Sequence, residues 1–204
     1  MTRRLALTLC ATIVVLVIPA TAQADYGDRC PASGSLTTIF GTDGPDSYLT
    51  GFVGTSDVDV MFAFAGDDIL WGGPSTDDLC GAKGDDRIVG GDERRGGEIS
   101  YGDWIFGQGG SDTIRAGGGH DIVRGGGGAE DITAGTGMDF VDGGGGPDVI
   151  KGGPQADEIH GGAGDDTIRA GGSQVDHVFG DDGIDTCIVD EFDLAEGCEV
   201  IEIV

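Results

Sequence analysis

A nine-residue period runs through most of this chain, and so short a period leaves few ways to fold. Its cleanest copy is Gly161-Gly162-Ala163-Gly164-Asp165-Asp166-Thr167-Ile168-Arg169, of the form G-G-x-G-x-D-x-U-x with U apolar. The sixth slot holds Asp59, Asp68, Asp77 and Asp86, then Asp103, Asp112, Asp121, Glu130, Asp139, Asp148, Asp157 and Asp166. Two residues further on, the U slot reads Met61, Leu70, Leu79, Ile88, Ile105, Ile114, Val123, Ile132, Val141, Ile150, Ile159 and Ile168, apolar without exception. Looser copies flank the two runs. Asp46 precedes them, Asp176 follows after one extra residue, and Asp185 resumes the nine-residue step with Cys187 in the U slot. About eight extra residues near 92–101 interrupt the series and read as a loop on one face, not as a domain boundary.

Each slot has its own physical job. Glycine enters positive-φ conformations without a Cβ clash, so three glycines in six residues specify a tight turn. The remaining x-U-x is a strand three residues long, and side-chain alternation sends U to one face and its neighbours to the other. The U residues then form the only core. One inward side chain per repeat is a thin interior for a chain with 42 glycines in 204 residues, because glycine loses the most conformational freedom on ordering. The formal net charge of −26 opposes compaction further.

Calcium supplies what is missing. It takes about six to eight oxygen ligands from carboxylates and main-chain carbonyls, and glycine turns present carbonyls with no side chain in the way. Binding and folding are then expected to be one event. A disordered acidic polymer is excluded by the unbroken apolar row. No H-E-x-x-H, G-x-S-x-G or G-x4-G-K-[ST] motif is present, so no catalytic or cofactor-binding residue is assigned. His120, His160 and His177 occupy variable slots and read as surface residues. The glycine runs 125–128 and 143–146 recur in register with the repeat and open no long helix, which argues against a dinucleotide fold.

Residues 1–24 have the form of a secretory signal peptide: Arg3 and Arg4, an apolar stretch over 5–18 ending before Pro19, and small-residue cleavage motifs at 20–24. The stretch is too short to span a bilayer comfortably. Cys10 leaves with it. An even set remains, Cys30, Cys80, Cys187 and Cys198, which in an exported protein implies two disulfides. Three connectivities are open, and Cys187–Cys198 with Cys30–Cys80 is preferred.

Taken together, the repeat resembles the hemolysin-type calcium-binding (RTX) repeat proteins, and the leader, Cys30, Cys80 and the terminal Gly197-Cys198-Glu199 resemble their stand-alone secreted bacterial forms. The resemblance covers roughly residues 41–188. It implies an all-β fold, a parallel β-roll or β-helix solenoid, in which an ion is shared by the loops of repeats n and n+2. The sixth-slot residues named above, with Asp176 and Asp185, would be its side-chain ligands. Loops ending at Asp112 through Asp166 then allow roughly five sites, and those ending at Asp68 and Asp86 about one more. Better-known members append the repeat to a toxin, protease or lipase and lack an N-terminal signal; this chain departs on both points.

The organisation expected is a signal peptide at 1–24, an entry segment at 25–40, the β-roll at 41–188 and a C-terminal cap at 189–204. The function expected is a secreted, extracellular, non-enzymatic calcium-binding structural or cell-surface module. The alternative is a calcium-stabilised accessory to, or remnant of, an RTX toxin or secreted hydrolase. Partners are calcium ions and an unidentified cell-surface or extracellular polymer, with no nucleic acid and no membrane span in the mature protein. If alternate repeats share a face, one face aligns Trp104, Ile122 and Phe140, and the other Arg115, Thr133, Lys151 and Arg169. Such rows can mark partner sites, but cross-strand packing and charge relief are the readings favoured here.

Overall fold

The computed structural model describes residues 37–46, 52–92 and 101–204, and its strands belong to one compact unit, Ala32–Val204. The leader at 1–24, most of the entry segment, most of the insertion, and Cys10 and Cys30 lie outside the described residues.

Successive strands alternate between two parallel sheets, one of nine strands and one of eight, so each strand pairs with the strand two repeats away. Registers repeat at 18 residues: Ile132 faces Ile150, and Ile150 faces Ile168. This stacking places every U residue over an equivalent one. All twelve U residues of the two runs, with Cys187, are fully buried between the sheets. The chain is a β-roll with a narrow aliphatic seam for a core.

Two details differ from the three-residue strand and single-residue core. The strand Asp131–Thr136 has six residues, because the first three slots of the next repeat stay extended and pair with the coil two repeats away. Alternation then brings the sixth, eighth and following first slots to the same inner face. Ala63, Ala116, Ala134 and Ala170 at the first slot are therefore buried core residues as well. The carboxylates of the sixth slot point inward for the same reason.

Coil register is unbroken across the insertion, since Leu79 pairs with Ile105 and Ile88 with Ile114. At the C-terminal end, Leu194–Glu196 and Val200–Ile203 add one parallel strand to each sheet. The Cys187–Cys198 disulfide expected from the sequence is present and ties the last two coils of one sheet together. Cys80 is disulfide-bonded, and the Cys30 pairing preferred for it falls outside the described residues.

The two outer faces differ. On the nine-stranded sheet Trp104, Ile122 and Phe140 stand in register, and Phe40 stacks on Phe62 at 5.7 Å. On the eight-stranded sheet Arg115, Thr133, Lys151 and Arg169 stand in register. Among the described residues no helix is long and apolar enough to cross a membrane.

Candidate metal-binding edges

The sixth-slot carboxylates form two columns, one along each edge of the roll. Asp59, Asp77, Asp103, Asp121, Asp139, Asp157 and Asp176 make one, and Asp68, Asp86, Asp112, Glu130, Asp148, Asp166 and Asp185 the other. All are buried. Each aspartate from the third coil on uses its Oδ1 to accept the backbone N–H of the sixth-slot residue one coil earlier in its column, except where Glu130 intervenes. These rungs measure 2.6 to 2.9 Å and include Asp103 to Asp121, Asp121 to Asp139 and Asp148 to Asp166. The rungs Asp77 to Asp103 and Asp86 to Asp112 cross the insertion, so the columns are continuous where sequence spacing alone showed a gap.

The second oxygen of each carboxylate is the informative one. Oδ2 of every aspartate in the two columns after Asp59 is buried and has no hydrogen-bond partner. It points at its own loop: a Cβ built on Gly143 would lie 2.6 Å from Asp148 Oδ2, and one on Gly152 2.7 Å from Asp157 Oδ2. A buried, orphaned anionic oxygen is costly unless a cation or proton meets it. Among the described residues no three His, Cys, Asp or Glu side chains cluster closely enough to hold a metal by themselves. Any donor set here therefore combines sparse carboxylates with main-chain oxygen. That chemistry fits calcium and does not fit a soft or imidazole-seeking metal.

Burial pushes the carboxyls upward, and the rung from the neighbouring N–H offsets part of the shift. Asp77, Asp86, Asp121 and Asp157 reach about 7, and Asp68, Asp112, Asp139, Asp166 and Asp176 about 6. A carboxyl raised in the folded state binds its proton more tightly there than in the unfolded chain. The stabilisation is complete below about pH 4 and lost as pH climbs through about 6 to 7. In chelator, the β-type circular dichroism should therefore grow as pH is lowered from about 8 to about 5. A metal-free signal independent of pH across that window would contradict the buried-carboxylate account.

Three positions depart from the pattern. In the Asp46 loop, Thr42 N–H and hydroxyl both donate to Asp46 Oδ2; in the Asp59 loop, Thr55 does the same to Asp59 Oδ2, leaving Asp59 Oδ1 as its orphan. Glu130 is one methylene longer than aspartate. It still donates its N–H to Asp148, but its two buried carboxylate oxygens make no hydrogen bond of good geometry, although the Asp112 N–H and the Asp148 carboxyl lie near enough to act on it. Burial, with Asp148 alongside, holds its carboxyl far above the ordinary range.

Sequence spacing missed both C-terminal members of the columns. Asp193 accepts from Asp176 N–H, and Glu199 from Asp185 N–H. Their coils are shortened to 17 and 14 residues, which hides them from a nine-residue search. Their signal was the apolar residue two places on, Ala195 and Ile201. The fifth slot also carries a ladder that runs the opposite way: Asp85 Oδ1 accepts Ser111 N–H, and Ser111 Oγ accepts Ala129 N–H. The histidines serve the surface, His120 accepting Met138 N–H and His160 stacking on Phe179 at 4.5 Å between ring centroids.

Comparison with protein families matches residues 53–88, 100–129 and 133–168, half of the chain, to the family described as RTX calcium-binding nonapeptide repeat (4 copies). No curated protein and no solved structure matches the chain. The repeat, the parallel roll and the oxygen-lined edges agree with that match: the chain belongs to the RTX calcium-binding nonapeptide repeat family, whose repeats bind Ca2+.

Proposed function

We propose that this is a secreted, non-enzymatic structural module whose coils fold when calcium binds along both edges. The fourteen sixth-slot residues, Asp59 through Asp185 with Glu130, would serve as side-chain ligands, and loop carbonyls would complete each shell. The observation that carries this reading is the orphaned second oxygen of each buried carboxylate. Bound Ca2+ would supply positive charge at those oxygens and cross-link loops one coil apart in each column. The chain's own part is to preset the geometry, since each rung fixes one carboxylate oxygen and aims the other at its loop. The signal-like leader at 1–24 and the disulfides support export to an oxidising, calcium-rich exterior. Residues 25–40, 41–188 and 189–204 would act as entry segment, roll and cap.

The test is stoichiometric. Asp139→Asn keeps an acceptor for the Asp121 rung but replaces the inward oxygen with an amide nitrogen. Native mass spectrometry at saturating calcium should find at least one ion fewer than in the parent protein. Asp46→Asn, whose inward oxygen already holds Thr42, should bind as many ions as the parent. Equal counts for Asp139→Asn and the parent would remove that residue from the ligand set.

A further inference from the structure

We propose that the outer face of the eight-stranded sheet is a docking surface for an extended, polyanionic polysaccharide. The inference rests on the calcium reading above, because the face is flanked on both sides by carboxylate-lined loops. Four of the chain's 11 cations, Arg87, Arg115, Lys151 and Arg169, project from this one face. All four are exposed, and among the described residues none forms an ion pair. In a chain of net charge −26, cations that served charge relief would be expected to sit against carboxylates. These sit apart from them, with Asp131 the one acidic residue among their strands on that face.

Register places three of the four charges in one stripe, with Arg87 one column to the side, in line with Ile69 and Thr113. Trp71, Val89, Arg115, Thr133, Lys151 and Arg169 occupy one column along the stacking direction. From Arg87 to Arg169 the cations span five strands, about 19 Å at the usual strand spacing. Trp71 is 49% exposed at the N-terminal end of this column, a flat ring in line with the charges. A flat platform with cations on Arg115, Lys151 and Arg169 of one column, Arg87 beside it, a hydroxyl between Arg115 and Lys151 and an exposed indole suits a polymer with both sugar faces and anionic groups. Duplex DNA is the poorer fit, because a flat face this short meets few phosphates and the edge carboxylates oppose a dense rod of charge. With calcium on the edges, that opposing charge is reduced, so docking should require calcium.

The experiment uses the full secreted chain in millimolar calcium at physiological salt, with dextran sulfate, uncharged dextran and a short DNA duplex as probes. Dextran sulfate should bind, uncharged dextran should not, and the duplex should bind more weakly than dextran sulfate. The triple variant R115Q/K151Q/R169Q should lose at least about tenfold in affinity. Its plot of log affinity against log salt should flatten by roughly two to three in slope. Arg124→Gln, on the opposite face, should bind as the parent does. Should the triple variant disturb folding, Lys151→Glu alone provides the same test at one exposed position. The idea is overturned by no binding to dextran sulfate, by equal loss in Arg124→Gln, or by tighter binding to duplex. The calcium reading is scored separately, by the parent protein's circular dichroism response to calcium with no polysaccharide present.

Discussion

Removing calcium from the purified protein should abolish the far-ultraviolet β signal at neutral pH, and millimolar calcium should restore it. The expectation follows from which groups are buried. Thirteen residues, Asp68 through Asp185 with Glu130, each bury at least one carboxylate oxygen that no protein donor meets. These oxygens lie in two columns, so each ionised group also faces like charges one coil away, as Asp157 does with Asp139 and Asp176. Against this stands a seam of one aliphatic residue per repeat with small first-slot residues beside it. A core that narrow does not offset so many unmatched charges. A full β spectrum in excess chelator at pH 7.5 would sink the metal-driven account, whatever the family.

Gly146→Val should be the most damaging single substitution outside the carboxylate columns, even at saturating calcium. Gly146 has φ +124°, and a Cβ built there would fall on the carbonyl oxygen of Gly128 in the coil below. The clash is with main chain and cannot be relieved by a rotamer change. Positive φ and overpacking together should remove about 3 to 5 kcal/mol, lowering the calcium-loaded melting temperature by roughly 10 °C. The fourth slot along this edge is glycine at Gly66, Gly84, Gly110, Gly128, Gly146, Gly164 and Gly183, all with positive φ. On the other edge the same slot is mixed: Gly119 and Gly137 are positive-φ glycines, whereas Asp57, Ser75, Gln155 and Gln174 do not have a positive φ. Gln155→Val should therefore cost less than 1 kcal/mol or about that, chiefly the acceptor for Gly137 N–H. Similar melting temperatures for the two variants would refute the stacking argument.

The second slot marks where this rule is strained. Phe64, Ala82, Gln108 and Asp181 adopt positive φ without being glycine, all on the edge with the unbroken fourth-slot glycines. Such residues cost about 1 to 2 kcal/mol each. Three of them are stacked in consecutive coils beside Phe62, Cys80 and Phe106, which are buried although they project from the outer side of the sheet.

Much of the site was legible because a solenoid converts sequence spacing directly into spatial spacing. The U row from Met61 to Ile168 became the seam, the rows through Trp104 and Arg115 became registers, and the fourteen carboxylates became two columns. Asp193 and Glu199 escaped because shortened coils keep the spatial step while breaking the sequence step. Glu130 fits the spacing yet lacks a well-formed rung from Asp112, a consequence of one methylene that no pattern records.

The repeat alone decided the roll, its handful of core positions and the carboxylate edges, because a nine-residue unit with one apolar residue has no other partner than its own copies. What each carboxylate does was decided in three dimensions. Alternation across a strand longer than the repeat suggested turned the sixth slot inward, burial stripped its oxygens of water, and stacking gave one oxygen a backbone donor and the other none. The same stacking left four cations unpaired among the described residues on one face of an acidic molecule, because pairing depends on what lies within reach across coils and not on overall composition.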